Sequence, residues 1–251
     1  MQDFQLSIID EPYTTSDGNG YRQTALLRSN EKHHNARKEI RLGYISAIEL
    51  YRLIKEEKPI KLDSVFIDDF DLHQYRINEK LDIKKGIVLH DFTVTNSFLV
   101  SSSDIDFTYA VFEGAEACFD NTVFVAPKIN FANAHFRTEN VSFSYCHFKV
   151  QRTDFSYSFF KGNSLSFKNA VFIDGVKDFR YIDVEKANIN FVNTDFGHGD
   201  VFFINAQFGT GDVSFKVATF GDGAKDFHYA RFFGSDVSFE RCRFGNGLID
   251  F

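Results

Sequence analysis

The chain has 251 residues, 43% of them apolar and 25% charged, the balance of a globular protein and not of a disordered one. A formal charge of -7 denies it the basic face that phosphate binding needs, and no apolar run approaches the roughly 18 residues of a membrane span. Thirty-two phenylalanines against no tryptophan and one methionine mark one bulky side chain used at equivalent places, as an array requires.

In chain order, residues 1–44 read as a polar, irregular segment. Its opening, MQDFQLSIIDEPY, has neither the basic start nor the apolar stretch of a signal peptide, so a cytoplasmic location is expected. TTSDGNG at 14–20 reads as a loop and EKHHNARKEIR at 31–41 as a short exposed helix, with His33 and His34 on a solvated face and not ligating metal. Residues 45–58 form the next unit, a capping helix over 46–57. Ser46 and Glu49 make a capping box, Ile48, Leu50, Tyr51, Leu53 and Ile54 supply an apolar side, and Pro59 stops it. Such a helix serves as a lid on the first coil of the third unit, residues 59–251. That region starts irregularly, through LDSVFIDDFDL and LDIKKGIVLHDF.

From Phe107 the pattern becomes strict. Phe stands at every twelfth residue from 107 to 251, and a second series (Phe112, Phe124, Phe136 and on to Phe244) runs five residues behind, broken only by Val184. A small or branched residue precedes most of these Phe by two places, so both point inward from one short strand. Steps alternating between five and seven fit neither a lone helix nor a lone strand; they predict an all-β solenoid. Glycine pairs such as Gly197 and Gly199, Gly209 and Gly211, Gly221 and Gly223, and Gly245 and Gly247 fill the longer step, at corners where positive φ is cheap. Asp-Phe-x-Tyr recurs at 106, 154, 178 and 226, always a multiple of 24 apart. The coil is therefore 24 residues with four faces, and residues 12 apart should lie across it.

Runs such as FKNAVFIDG and FINAQFGTGDVSF, recurring at twelve, resemble the pentapeptide-repeat proteins in their Phe-rich form, over about residues 45–251. The resemblance implies a right-handed quadrilateral β-helix with an N-terminal helical cap. On function it is nearly silent, because one fold hosts unrelated roles. Some relatives mimic DNA and modulate a type II topoisomerase, which needs a strongly acidic rod. Residues 107–251 carry 17 acidic against 14 basic residues, so mimicry ranks second to a non-enzymatic scaffold or protein–protein interaction module.

No catalytic, cofactor or metal residues are expected. Cys146 and His147 are adjacent on a strand and point to opposite faces; Cys118, Cys146 and Cys242 read as small apolar residues in a reducing compartment. The surface is more informative. One outward column runs Asp106, Asn130, Asp154, Asp178, Phe202, Asp226, Asp250, beside Tyr109, Asn133, Tyr157, Tyr181, Asn205, Tyr229. Asp154, Asp178, Asp226, Tyr157, Tyr181 and Tyr229 are thus a candidate binding face, or else Tyr stacks and Asp caps the preceding corner. Lys177 and Lys225 fall on inward positions, so Val176 and Ala224 should turn in and release both ammonium groups to solvent. Phe239, Phe244 and Phe251 form a candidate dimer end, where two chains meet about a two-fold axis. The protein partner is otherwise open; neither membrane nor direct nucleic-acid contact is expected.

Overall fold

The computed structural model describes residues 4–16, 18–29, 39–234 and 236–251. From Phe107 on, most steps place a strand of two or three residues on one side of a coil, while two eight-residue strands (Val123–Asn130 and His147–Asp154) run through a corner. Each strand pairs in parallel with its equivalent one turn away. The register is Val111↔His135, Ala117↔Val141, Val123↔His147 and Ile129↔Thr153, always 24 apart. The coil length read from Asp-Phe-x-Tyr is therefore the real one. The result is a β-solenoid of about nine turns, roughly 40 Å long at about 4.8 Å per rung.

Phenylalanines 24 apart stack face to face, as Phe107 on Phe131 and Phe131 on Phe155, both at 4.7 Å. Those 12 apart meet edge to face across the coil, Phe119 with Phe131 at 5.8 Å and Phe143 with Phe155 at 5.3 Å. Both geometries suit the ring quadrupole, and each buried ring contributes on the order of 2–3 kcal/mol. Two residues after each Phe of the first series the backbone turns left-handed, with φ between +54° and +61° at every twelfth residue from Tyr109 to Arg241. The Ala110 N–H closes this corner on the Phe107 carbonyl at 3.0 Å, a four-residue turn whose third place favours positive φ. Asn121, Asn133, Asn169, Asn193 and Asn205 tolerate it most cheaply.

The glycines of the longer corner answer two demands. Gly199 has φ +99°, and a Cβ there would also lie 2.2 Å from the Gly175 carbonyl oxygen. Gly211 needs no positive φ, but a Cβ would fall 2.1 Å from the Ala187 oxygen, so close stacking of coils selects glycine there. Positive φ alone, the sequence-based expectation, does not explain it.

Lys177 and Lys225 overturn the expectation of solvent-exposed amines. Both are fully buried, while Val176 and Ala224 stay half-buried on the outer side. The longer corner turns carbonyls inward. Lys177 Nζ donates to the oxygens of Gly175 (3.0 Å) and His198 (2.7 Å), and Lys225 Nζ to that of Asn246 (2.8 Å). The lysine stem fills the column that holds Ile129 and Val201, and the ammonium is solvated by backbone instead of water. Burial draws the Lys177 amine down to about 8, against the upward pull of Asp174, Asp195 and Asp200.

The described residues of the first segment form strands. Strands β1 (Phe4–Ile9), β4 (Gln23–Ser29) and β5 (Glu39–Ser46) form an antiparallel meander, and the 13–21 stretch between β1 and β4 is a small hairpin of β2 (Tyr13–Thr14) and β3 (Gly20–Tyr21). Residues 39–41 lie in β5, not in a helix; His33, His34 and the rest of 30–38 lie outside the described residues. β5 pairs in parallel with the later strand β7 (Val65–Asp68), so the meander is continuous with the solenoid sheet. Phe4, Leu6, Leu27 and Leu42 pack with Phe66, Phe98, Val100 and Val125 in a second apolar cluster, separate from the stacked Phe core.

Helix α1 (Ala47–Lys55) comes next, with the Ser46–Glu49 capping box formed as expected. Leu50 and Ile54 enter the main core, but Ile48 is exposed, contrary to its assignment to the apolar side. After β6 (Lys61–Asp63) and β7 comes a helix the repeat pattern did not foresee, α2 (Leu72–Asn78), capped by the Asp71 carboxylate. It buries Leu72 and Tyr75 against Tyr51 and draws in Arg76. Arg76 Nε donates to the Lys85 carbonyl (2.8 Å) and Nη2 to that of Thr108, while Nη1 stands 3.9 Å from Asp106 without a hydrogen-bond partner.

Candidate interaction face

The corner after a Phe of the first series frees one backbone N–H, and where Asp precedes that Phe its carboxylate takes it. Ser156 N–H donates to Asp154 Oδ1 (3.1 Å), Arg180 N–H to Asp178 Oδ1 (3.2 Å) and His228 N–H to Asp226 Oδ1 (2.9 Å). The carboxylates thus cap the following corner, not the preceding one. Nor do they form an outward acidic column, since Asp154 and Asp178 are buried and Asp226 half-buried.

Cations offset that acid directly. Lys128 Nζ lies 2.9 Å from Asp154 Oδ2, and Arg152 bridges Asp154 (3.4 Å) to Asp178. Arg180 forks onto Asp178 at 2.8 and 2.6 Å, and its guanidinium sits 5.6 Å from the centre of the Phe202 ring. Burial alone would raise the Asp154 carboxyl, but the Ser156 hydroxyl and Lys128 pull it below the ordinary value. Asp106 goes the other way: burial dominates, its Thr108 bonds only partly compensate, and Asp71 adds to the rise. Arg180 is raised, chiefly by its hydrogen bond to Asp178.

Of the tyrosines, the fold brings two together. Tyr157 and Tyr181 stack at 4.7 Å with rings 5° from parallel, yet remain 56% and 43% exposed. Tyr229 is two coils further on, beyond Asn205, and leans on His228 at 3.9 Å instead. The face is therefore a short aromatic ledge beside Arg180 and Phe202, with its charges paired. Arg152 stands one coil after Lys128 in the column beside the aspartates, whereas Arg180 comes from the same corner as Asp178.

At the other candidate, Phe239 and Phe244 stack on Phe215 (4.8 Å) and Phe220 (5.0 Å) and are half-buried. Phe251 stacks on Phe227 at 4.9 Å and is exposed, as is Leu248. The thiols are poorly placed for chemistry. Cys146 is buried, donates to the Phe119 carbonyl, and is raised well above the ordinary thiol value by burial, while His147 faces out. Burial likewise lifts Cys118 to about 11. Among the described residues no three His, Cys, Asp or Glu side chains cluster as metal ligands, and no helix is long and apolar enough to cross a membrane.

No family model, no curated protein and no solved structure matches the chain.

Proposed function

We propose that the protein is a non-enzymatic interaction or scaffold module of the pentapeptide-repeat kind, cytoplasmic, presenting the ledge of Tyr157, Tyr181, Arg180 and Phe202 to another protein. The observation that carries this reading is the stacked tyrosine pair, rigid yet about half exposed. Tyrosine offers wide contact area at low entropic cost, and an arginine beside it is the usual companion at interface anchors. The paired aspartates support it from the other side: an Asp column bound by Lys128, Arg152 and Arg180 is a poor copy of a phosphate backbone.

The test is affinity capture from the native host with the wild-type chain and with a Tyr157→Ser, Tyr181→Ser variant of unchanged melting temperature. A partner retained by the first and lost by the second is expected; equal capture overturns the assignment of the ledge. Inhibition of gyrase supercoiling at micromolar protein would favour topoisomerase mimicry instead. Pairing of two chains through Phe239, Phe244 and Phe251 belongs to the same proposal, supported by the exposure of Phe251 and Leu248. Light scattering checks it, with a mass twice 28.9 kDa expected.

A further inference from the structure

The aromatic stacking leaves little room inside the coil, but a cleft of about 680 Å³ opens where the N-terminal hairpin faces α1. That is within the range of small-ligand sites, roughly 300–1,000 Å³. One wall is held before any ligand arrives. The Tyr21 ring lies so close over β5 that a Cβ on Gly43 would fall 2.3 Å from it, so only glycine admits the ring. Tyr44 points to the other face of β5, toward the outer apolar cluster, where its hydroxyl donates to Asp68 at 2.8 Å. Ile45 and Leu62, both buried, add an apolar lining.

The charged groups lining the cleft are not equally committed. The Glu49 carboxylate is taken by the backbone and hydroxyl of Ser46 in the capping box, and Lys61 lies 3.6 Å from Asp91. Arg22 and Arg52 line the same space, and neither guanidinium has an ion pair or hydrogen bond among the described residues. Among the described lining residues the uncommitted charge is thus two planar, five-donor forks against one exposed carboxylate, Asp10. Forks of this kind bind oxyanions through paired N–H donors, and fixed aromatic and apolar walls suit a flat organic body.

We propose that this cleft is a binding site for a small planar molecule carrying an oxyanion, phosphate or carboxylate, held by Arg22 and Arg52 with its ring against Tyr21. The site is separate from the tyrosine ledge, and its failure would leave that reading intact.

Isothermal titration of the full chain tests it with two anionic probes, AMP and 4-hydroxybenzoate, and their uncharged analogues, adenosine and 4-hydroxybenzyl alcohol. At least one anion should bind below about 1 mM, and its uncharged analogue at least about tenfold more weakly. Which anion binds distinguishes phosphate from carboxylate. Arg22→Ala and Arg52→Ala should each weaken it by about tenfold, the scale of one charge-assisted bond. Lys216→Ala, at a residue near Glu240 that does not line the cleft, should leave binding unchanged. Both arginines are exposed, so the variants should keep their melting temperature; Arg22→Lys and Arg52→Lys give a second, milder pair that retains the charge. No binding of either anion up to about 5 mM, equal binding of the uncharged analogue, or indifference to both arginine truncations overturns the proposal.

Discussion

Between Phe107 and Phe251 successive rungs stand 24 residues apart, whereas before Phe107 the spacing drifts: Gly43 pairs with Val65, Phe66 with Phe98, Phe98 with Val123. The second of these intervals is longer by the stretch that contains α2. The ladder is nonetheless continuous, because parallel pairing asks only that an inward residue meet an inward residue, whatever the corner between them contains. An insertion is absorbed if it buries its own apolar side, as α2 does with Leu72 and Tyr75. The regular region gains a different property. Each ring there meets its own copy above and below, so one side chain serves every position.

That contrast can be broken at its strongest point by Phe131→Ala, which removes a ring stacked on both neighbours. A loss of about 3–5 kcal/mol in urea denaturation is expected. Phe66→Ala, in the outer cluster beneath the meander, should act locally instead. Amides of β1 and β4 should exchange faster while those of 129–131 stay protected. Comparable loosening of both regions would show that array and meander form one cooperative unit.

A middle-sized effect sharpens the comparison within the array, where Lys177 breaks the apolar column. The native amine titrates near 8, below its ordinary 10.5. Below pH 8 both states carry the proton and the cost of burying the charge is constant. Between the two values the unfolded chain keeps a proton that the native chain has released, so stability rises with pH across this window. Lys177→Met should abolish that rise relative to wild type in denaturation curves from pH 7 to 10. Parallel profiles would mean that the backbone carbonyls of Gly175 and His198 hold the ammonium without penalty.

The smallest effect concerns the corners. Tyr157 adopts φ +59° at a place where other coils carry Asn133 and Asn205 at nearly the same angle. Tyr157→Asn loses the stack on Tyr181 but relaxes the backbone, and the two terms, each of about 1 kcal/mol, should nearly cancel in the melting temperature. A large drop would give the ledge a structural role that the asparagine coils show no need for.

How much of this was legible depends on what a one-dimensional pattern can carry. The inward Phe series, the 24-residue coil and the capping box at Ser46 and Glu49 rest on spacing along the chain, and spacing is what a sequence displays. The left-handed corners were legible too, in the Tyr or Asn at most twelfth places, once the turn they close is known. The meander was not: Ala25, Leu26 and Leu27 run together without alternation because both faces are covered, one by neighbours that lie far along the chain.

The sequence by itself determined the solenoid, its period and the identity of its core, because a repeated side chain at a repeated step admits one way of stacking. Tertiary structure alone decided the charges. Asp154 and Asp178 became buried caps because Lys128 and Arg152 reach them from neighbouring coils, beside the local fork of Arg180 on Asp178. Lys177 and Lys225 turned inward because corner carbonyls, which composition does not reveal, stood ready to receive them. The physical reason is common to both. The cost of burying a charge depends on which partners lie within about 3 Å, and for each of these groups at least one partner comes from another turn of the coil or from a corner whose shape the coil sets.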